Sequence, residues 1–365
     1  MNTLFTCAGR RNYLIAYFRK ALGGRGKLLA GDCSVHAAAL QEADEGFILP
    51  PVQAPEYVDH LLDLCVEQGV ELLVPLNDHE LPILAAARHR FSRAGIEVLV
   101  SSSEVVELAA DKLATARFAE ALDLHPPLTF STLEGAFAAL DSGELQFPLI
   151  VKPRWGTASL GVDRVDNREM LELSWRLGLH RLPRLGLRQG SFPGEALLIQ
   201  SLLPGQEYGL DVVNDLNGHY RTTFVKRKLS MRAGETERAV TEIRPELVEA
   251  GRRIGEALRH RGNLDCDIFF DGKTVRLLEL NPRFGGGYPF SAEAGADLPA
   301  ALIAWTRGEE PAEGWASIRS GIIISKCDRL VCVGGAGRET RIQSIRGQEP
   351  EAPAIPIMDV VGLND

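Results

Sequence analysis

Short apolar runs alternate with amphipathic segments along the first hundred residues of the chain. The apolar runs, which are typical of buried strands, cover residues 3–8, 27–32, 46–49, 71–75 and 97–101. Residues 57–69 carry their apolar side chains on one helical stripe, and residues 13–22 and 81–94 show the same period. Repeated strand and helix units predict a parallel sheet with helices on both faces. The pattern also predicts a helix over residues 35–43.

After about residue 125 the pattern changes to strands that are joined by turns. Residues 266–270 and 274–280 predict a hairpin, because Asp271-Gly272 between them is a strong turn signal. Further strands are predicted over residues 147–153, 195–203, 208–214, 220–227 and 322–333. The pattern therefore predicts a parallel α/β region at the N-terminus and a mixed α+β region after it. Residues 311–365 are expected to form a strand-rich segment and an extended tail.

Composition narrows the class of protein. The 365 residues suffice for two or three domains, and a net charge of -9 argues against a nucleic-acid partner. The six cysteines form no C-x-x-C pair and lie mostly in apolar runs, which is typical of reduced, buried thiols. No apolar run reaches the roughly 18 residues of a membrane span, and the N-terminus lacks the features of a signal peptide. We therefore expect a cytoplasmic protein that binds neither membranes nor nucleic acid.

Three polar side chains follow one another in the second strand of the predicted hairpin and just beyond it. Glu279, Asn281 and Arg283 are each two positions apart, so an extended chain would place them on one face at steps of roughly 7 Å. Carboxylate and amide oxygens suit Mg²⁺ beside a phosphate, and the planar Arg fork suits a phosphoryl oxygen. The pattern indicates the metal and γ-phosphate end of a nucleotide site. A buried strand with an incidental Glu is the alternative.

A lysine stands at the end of another predicted strand, directly before a loop of small residues. Lys152 is followed by a loop that runs from Gly156 to Gly161 and contains Thr157 and Ser159. Glycine lets backbone amides approach a phosphate closely, and the lysine adds a positive charge. The lysine precedes the glycines, so the loop is not the G-x-x-x-x-G-K-[ST] type. The segment indicates a phosphate-binding loop of another type, with a plain hairpin as the alternative.

The motifs occur in one order along the chain. They are Asp111-Lys112, Val151-Lys152-Pro153 with its glycine loop, Gln200, Glu207, Asp267, and finally Glu279-Leu280-Asn281-Pro282-Arg283. This order resembles the ATP-grasp superfamily, and within it the carbamoyl-phosphate-synthase-like carboxylate–amine ligases. The resemblance covers about residues 1–310. It implies a Rossmann-like pre-ATP-grasp domain over residues 1–103 and a two-lobed ATP-grasp domain over residues 104–310, with a small lobe that carries the phosphate lid at about 125–203. It depends on the ordered set and not on any single motif.

The resemblance implies how the chain would bind ATP. Lys112 and Lys152 would hold the α- and β-phosphates. The lid over the triphosphate would contain Gly156, Thr157, Ser159 and Gly161. The hinge that reads the adenine edge through its backbone would be Gln200, Ser201, Leu202 and Leu203, and Glu207 would accept hydrogen bonds from the ribose. Gln200 departs from the family, which usually has Glu at that position.

The resemblance also implies a metal and a catalytic set. Asp267, Glu279 and Asn281 would ligate one or two Mg²⁺ ions, for which Mn²⁺ could substitute. Arg283 would stabilise the transferring phosphoryl group, and Lys152 would help to neutralise its charge. From the loop at residues 224–241, Arg232, or else Lys226 or Arg227, would contact phosphate or the substrate carboxylate. A solvated loop held by Glu–Arg pairs is the alternative for that segment.

Two further motifs each have two interpretations. The run Asn77-Asp78-His79-Glu80 either binds an amine substrate or caps the helix that begins near Leu81. The run Gly285-Gly286-Gly287 either offers backbone amides to a substrate or simply turns the chain.

The resemblance implies an ATP-dependent ligase that activates a substrate carboxylate as an acyl phosphate, joins it to an amine and releases ADP and phosphate. Its partners would be small-molecule carboxylates and amines, and a homodimer is the default assembly. A small-molecule kinase that uses the same ATP site, or the phosphorylation of carbamate, is an alternative. An NAD-binding Rossmann oxidoreductase or sensor ranks behind, because residues 8–13 lack G-x-G-x-x-G.

Overall fold

The computed structural model describes residues 1–157, 159–188, 190–191 and 194–334, and the backbone of residues 342–344. Three β-sheets organise this part of the chain. Among these residues, no helix is both long and apolar enough to cross a membrane. The predicted extended tail from residue 347 lies outside the described residues.

The N-terminal region is built on a parallel sheet with the strand order β16-β3-β2-β1-β4-β5. Its strands are β1 (Asn2–Thr6), β2 (Leu28–Asp32), β3 (Glu45–Ile48), β4 (Val70–Pro75), β5 (Glu97–Val98) and β16 (Ile342–Ser344). Its helices are α1 (Asn12–Leu22), α2 (Tyr57–Glu67) and α3 (Leu81–Arg93). The strand order reverses between β1 and β4, so the loops at residues 7–11 and 76–80 meet at one edge of the sheet.

A smaller antiparallel sheet with the order β6-β9-β7-β8 follows. Two helices lead into it, α4 (Ser103–Ala110) and α5 (Lys112–Ala121). Its elements are β6 (Thr129–Phe130), α6 (Leu133–Ser142), β7 (Leu149–Pro153), β8 (Asp163–Val165), α7 (Arg168–Arg181) and β9 (Leu197–Ser201). Its buried side chains form a core of their own around Leu149, Leu171 and Ile199.

The third sheet is antiparallel, with the order β14-β13-β10-β11-β12-β15. Its strands are β10 (Gln206–Asn214), β11 (Tyr220–Arg232), β12 (Glu235–Glu242), β13 (Gly262–Phe270), β14 (Val275–Asn281) and β15 (Ile323–Ser325). Its helices are α8 (Pro245–Leu258), α9 (Tyr288–Ala294) and α10 (Leu298–Thr306). Helix α8 covers one face of this sheet with Leu247, Ile254 and Leu258.

One buried cluster joins the N-terminal sheet to the segment that follows β14. Phe284 and Tyr288 belong to the same core as Phe5 and Phe18, and the rings of Phe18 and Phe284 lie 6.2 Å apart, edge to face. Arg11 Nη1 donates to the carbonyl oxygen of Phe284 at 3.1 Å. The end of β14 is therefore anchored to the N-terminal sheet.

The predicted mixed fold class is confirmed, with a parallel N-terminal sheet followed by a two-lobed antiparallel region. The predicted hairpin across Asp271-Gly272 is also present, as β13 and β14. The helix predicted over residues 35–43 is wrong, because only Ala38–Gln41 form a single 3₁₀ turn. This segment lacks a side-chain N-cap and buries only two of its side chains, so little favours a longer helix there.

Candidate functional site

A cavity of about 240 Å³ lies between the small antiparallel sheet and the β13–β14 hairpin. Most of the residues predicted to contact a nucleotide line it: Lys112, Lys152, Gly156, Thr157, Ser159, Gln200, Ser201, Leu202, Leu203 and Glu279. Its apolar lining includes Ile150, Leu160, Val162, Phe269 and Leu278, which the motif analysis did not single out. The cavity therefore has a charged end and an apolar end, as a phosphate-bearing aromatic ligand requires.

Two lysines define the charged end. Lys112 Nζ donates to the carbonyl oxygen of Gly156 at 2.5 Å and lies 3.2 Å from Glu279 Oε1. The side chain of Lys152 is buried, and burial lowers its pKa to about 8, with the positive charge of Lys112 acting in the same direction. Glu279 and Asp267 oppose that shift only in part. Two neighbouring ammonium groups in a confined space favour a polyanionic ligand.

Asp111 holds the segment that presents Lys112. Its side chain caps α5 by accepting from the backbone of Leu113 and Ala114. It also receives two bonds from Arg154, at 2.8 Å from Nε and 2.6 Å from Nη2. The start of α5 is thus tied to the segment that follows β7, so Lys112 and Lys152 are held in a common frame.

A β-bulge brings Glu279 into the cavity. Asp267 pairs with Glu279 while Ile268 pairs with Leu277, so Leu278 is an extra residue on β14. Leu278 and Glu279 consequently both line the cavity, whereas Leu277 and Leu280 point into the core beneath. Bulges commonly re-aim side chains at functional sites. Simple alternation along the strand could not predict that Leu278 and Glu279 share a face.

Asp267 and Glu207 are both held by a lysine that was not predicted. Lys228 Nζ donates to Glu207 Oε1 and to Asp267 Oδ1, each at 2.6 Å. Burial alone would lower the pKa of Lys228, but the two carboxylates outweigh it and raise the pKa above its ordinary value. Lys228 reaches them across Gly209, where a Cβ atom would lie 3.6 Å from Lys228 Cε.

A second buried network lies next to this triad. Asp211 Oδ2 accepts from Lys226 Nζ at 2.5 Å and from Ser291 Oγ at 2.5 Å, and Oδ1 accepts from Asn263 Nδ2 at 3.3 Å. Lys226 is therefore committed to a fully buried pair and not to the cavity. Asn263 Nδ2 also lies 3.4 Å from the carbonyl oxygen of Arg283, so the network braces the turn after β14.

Arg283 lies where the two parts of the chain meet. Its Nε and Nη2 donate to the two carboxylate oxygens of Asp78, at 2.8 Å and 2.7 Å. Although burial would raise the pKa of Asp78, the guanidinium holds it below its ordinary value. After Asp78, the negative charges of Asp265 and Glu279 also raise the pKa of Arg283. Its guanidinium therefore lies near Glu279, at the predicted metal end of the cleft. Asp78 does not cap α3, which begins after Glu80 without a side-chain cap. Its carboxylate is not free, because both oxygens accept from Arg283.

The structure does not bring Arg232 to the cavity. Its side chain is 56% exposed and pairs with Asp328 at 2.6 Å, because the turn at Ala233-Gly234 directs the end of β11 outward. Arg227, the other loop candidate, pairs with Glu242 at 2.6 Å. This geometry therefore does not support a catalytic role for Arg232. The segment is not a solvated loop either, because residues 224–241 form most of β11 and β12 around the turn at Ala233-Gly234.

The predicted hinge lines the cavity with Gln200, Ser201, Leu202 and Leu203, and the predicted lid lines it with Gly156, Thr157 and Ser159. Gln200 is buried and its Nε2 donates to Thr129 Oγ1 at 2.9 Å, so this departure from the family serves to join β9 to β6. In the lid, Ser159 and Gly161 have left-handed backbones with φ of 56° and 70°. Ala158, which precedes Ser159, is outside the described residues. The lid presents Leu160 and Val162 to the cavity, and both remain more than 40% exposed.

The three predicted metal ligands differ in their contacts. Glu279 and Asn281 lie on the same side of β14, and the amide of Asn281 makes no side-chain hydrogen bond among the described residues. Asp267 is already occupied by Lys228. Among the described residues, no three acidic, cysteine or histidine side chains are grouped so as to hold a metal. A magnesium ion would therefore depend on Glu279, Asn281 and the phosphates of a bound nucleotide.

A two-lobed cleft with paired lysines at one end, next to a parallel-sheet domain, defines the class to which this chain belongs. Residues 3–99 match the family model of the PylC-like N-terminal domain. Residues 194–329 match the model described as ATP-grasp in the biosynthetic pathway with Ter operon. The chain therefore matches a PylC-like N-terminal model and an ATP-grasp model in these two segments, and the predicted superfamily is confirmed to that extent.

Solved structures show the same fold. The biotin carboxylase domain of Hydrogenobacter thermophilus 2-oxoglutarate carboxylase, solved with MgADP, ADP and bicarbonate, is 18% identical with a TM-score of 0.68, over 88% of this chain and 73% of that one. Campylobacter jejuni biotin carboxylase with βγ-ATP is 14% identical with a TM-score of 0.69, over 88% and 74%. Staphylococcus aureus N5-carboxyaminoimidazole synthetase with ADP is 15% identical with a TM-score of 0.64, over 85% and 78%.

Proposed function

We propose that this ATP-grasp enzyme is an ATP-dependent, ADP-forming ligase that joins a small-molecule carboxylate to an amine. One observation carries the proposal: Lys112, Lys152 and Glu279 converge on a single cavity whose other end is apolar. The solved relatives support the proposal, since their structures hold ADP, MgADP or an ATP analogue in the same fold. A homodimer remains the default expectation for its assembly.

The cavity suits ATP in one orientation. The triphosphate would lie against Lys112 and Lys152, and the lid at residues 156–161 would cover it. The adenine would lie between Leu160 and Leu278 and would meet the backbone of the hinge at residues 201–203. Glu207 would accept from the ribose with one oxygen while the other stays with Lys228.

The remaining residues would promote transfer of the γ-phosphoryl group. Magnesium, held by Glu279 and Asn281, would supply positive charge at the phosphate oxygens. Arg283, fixed by Asp78, would face the transferring group with the rest of its guanidinium. Such transfer requires little more than positioning and charge stabilisation.

The proposed reaction has two steps. A carboxylate oxygen of the first substrate attacks the γ-phosphorus, the bond to the bridging oxygen breaks, and ADP leaves. The nitrogen of the second substrate then attacks the acyl carbon, the bond to the phosphate oxygen breaks, and the nitrogen loses its proton. Neither step needs a protein nucleophile, and the buried thiol of Cys266 has a pKa raised well above its ordinary value, first by burial and further by Asp265.

The test is a screen for ADP release over pairs of carboxylates and amines. ADP and phosphate should appear only when both substrates are present, and Glu279→Gln should be inactive on the same pair. Glu249→Gln is the matched control, because Glu249 lies on the exposed face of α8 and pairs only with Arg252. Release of AMP and pyrophosphate would rule the proposal out.

Hydroxylamine separates the ligase from a kinase. An acyl phosphate is trapped as a hydroxamate, whereas a phosphate ester is not. ADP release without a hydroxamate, and with a stable phosphorylated product, would favour the small-molecule kinase.

A further inference from the structure

We propose that Lys228 takes the place of a metal ion at Asp267, so that the site binds a single divalent cation through Glu279 and Asn281. The inference rests on the proposed function, because it concerns the metal that accompanies the nucleotide. It departs from the prediction that Asp267 is a metal ligand.

The backbone is arranged so that Lys228 can reach Asp267. Lys228 lies on β11 and Asp267 on β13, with β10 between them. Gly209 on β10 is directly opposite Asp267 in the register. Because Gly209 has no side chain, the alkyl chains of Lys226 and Lys228 pass over it, at 3.2 Å and 3.6 Å from the position that a Cβ atom would occupy. A larger residue there would close this route.

The ammonium of Lys228 is held firmly. Its side chain is 7% exposed, and both carboxylates accept from it at 2.6 Å. Removing one partner from such a pair is costly, because the other charge is left poorly solvated. A divalent cation on Asp267 would also lie close to the ammonium group on the same carboxylate and would be repelled by it.

The two candidate carboxylates are therefore not equivalent. Glu279 lies 3.2 Å from Lys112, and it lines the cavity where phosphates would bind. Asp267 does not line that cavity and is bonded to Lys228 at 2.6 Å. Glu279 can exchange its contact with Lys112 for a cation while Lys112 turns to phosphate. Lys228 does not line the cavity, so a phosphate bound there would not draw it away from Asp267.

The test counts manganese ions by electron paramagnetic resonance on the full chain, with a saturating nonhydrolysable ATP analogue. One Mn²⁺ per chain is expected. Glu279→Gln should weaken its binding at least tenfold, whereas Asp267→Asn, which can still accept from Lys228, should change its affinity less than threefold. Lys228→Met should create a second manganese site, and Lys228→Met with Asp267→Asn should abolish that second site. Lys27→Met, at an exposed pair in the N-terminal sheet, is the matched control.

Two manganese ions in the wild-type chain, one of them lost in Asp267→Asn, would overturn the inference and leave the proposed function intact. Should Lys228→Met fail to fold, the comparison of Asp267→Asn with Glu279→Gln still decides the matter. If calorimetry shows that the wild-type chain does not bind the ATP analogue, the proposed function fails first, and the inference fails with it.

Discussion

Arg283 and Asp78 form a two-pronged ion pair across 205 residues of sequence. Arg283 follows the strand that carries Glu279, whereas Asp78 follows β4 of the parallel sheet. The pair therefore makes the N-terminal sheet part of the proposed phosphoryl-transfer site. It also explains why Asp78, which sequence analysis assigned either to an amine substrate or to a helix cap, does not cap α3.

Asp78→Asn should lower kcat by about 10- to 100-fold while the affinity for nucleotide changes less than threefold. Asn can accept only one of the two bonds, so the guanidinium loses its fixed orientation while Lys112 and Lys152 are untouched. Steady-state ADP release and calorimetry with an ATP analogue measure the two quantities. Asp59→Asn, which breaks an exposed pair with Arg90, is the control. Equal losses in kcat and in nucleotide affinity would contradict an orienting role.

The affinity for ADP should fall as the pH rises above about 8. Burial, and then Lys112, give Lys152 a pKa of about 8 in the free chain, so the ammonium is present below that pH and is lost above it. A bound polyphosphate raises the pKa, so binding above pH 8 takes up a proton and weakens by up to about tenfold per pH unit. Calorimetry at pH 7, 8 and 9 in two buffers measures both affinity and proton uptake.

Lys152→Arg should remove this dependence, because a guanidinium stays charged over the whole range. Lys27→Arg, at an exposed pair far along the chain from the lid, should retain it. An affinity that stays constant from pH 7 to 9 in the wild-type chain would show that Lys152 does not face the phosphates.

Gly285 and Gly286, which follow Phe284, should differ in their tolerance of a side chain. A Cβ atom at Gly285 would lie 2.1 Å from Asp265 Cγ, and the short side chain of Asp265 can yield only by leaving its place. At Gly286 the nearest atoms are the ends of the Glu235 and Lys326 side chains, at 3.2 Å and 3.3 Å, and both can move. Gly285→Ala should therefore cost about 1–3 kcal/mol of stability, whereas Gly286→Ala should cost less than about 0.5 kcal/mol. Urea unfolding compares the two, and equal effects would contradict the packing described.

Sequence analysis located the cavity because its main elements are local. Each of Lys112, Lys152 and Glu279 lies at the end or on the face of an element whose pattern is visible in the sequence, and all three line the cavity. The order of these motifs along the chain carried the resemblance to the superfamily, and the resemblance implied the fold. The roles of the hinge, the lid and Arg283 remain predictions that the experiments above address.

What sequence analysis could not supply is long-range pairing. The partner of Asp267 is 39 residues away on a strand that is not its neighbour, and it depends on the missing side chain of Gly209. The bulge at Leu278 changes which residues face the cleft, and no turn residue marks it. Arg232 lies outside the cavity because the turn at Ala233-Gly234 directs it outward, and the charge pattern alone does not distinguish Arg232 from Lys226 or Lys228.

His260 should make the chain less stable as the pH falls from about 6.5 towards 4. The imidazole is fully buried, its Nε2 lies 2.9 Å from the carbonyl oxygen of Val212, and its Nδ1 has no partner. Burial lowers its pKa from 6.5 to about 4. Between pH 6.5 and pH 4 the imidazole therefore binds a proton in the unfolded chain but not in the folded chain. This lowers the free energy of unfolding by up to about 3 kcal/mol. Below pH 4 both forms are protonated and the effect no longer grows.

His260→Gln removes this titration while its amide can still donate to Val212. Urea unfolding at pH 7 and pH 5 should show that the wild-type chain loses about 2 kcal/mol more than the variant over this interval. His36→Gln, at an exposed position, should behave like the wild type. Acidic groups such as Asp78 titrate in all three proteins and cancel in the comparison. If wild type and His260→Gln lose equal stability between pH 7 and pH 5, then the imidazole is protonated within the folded chain, and the packing around β10 must admit water or an acidic partner.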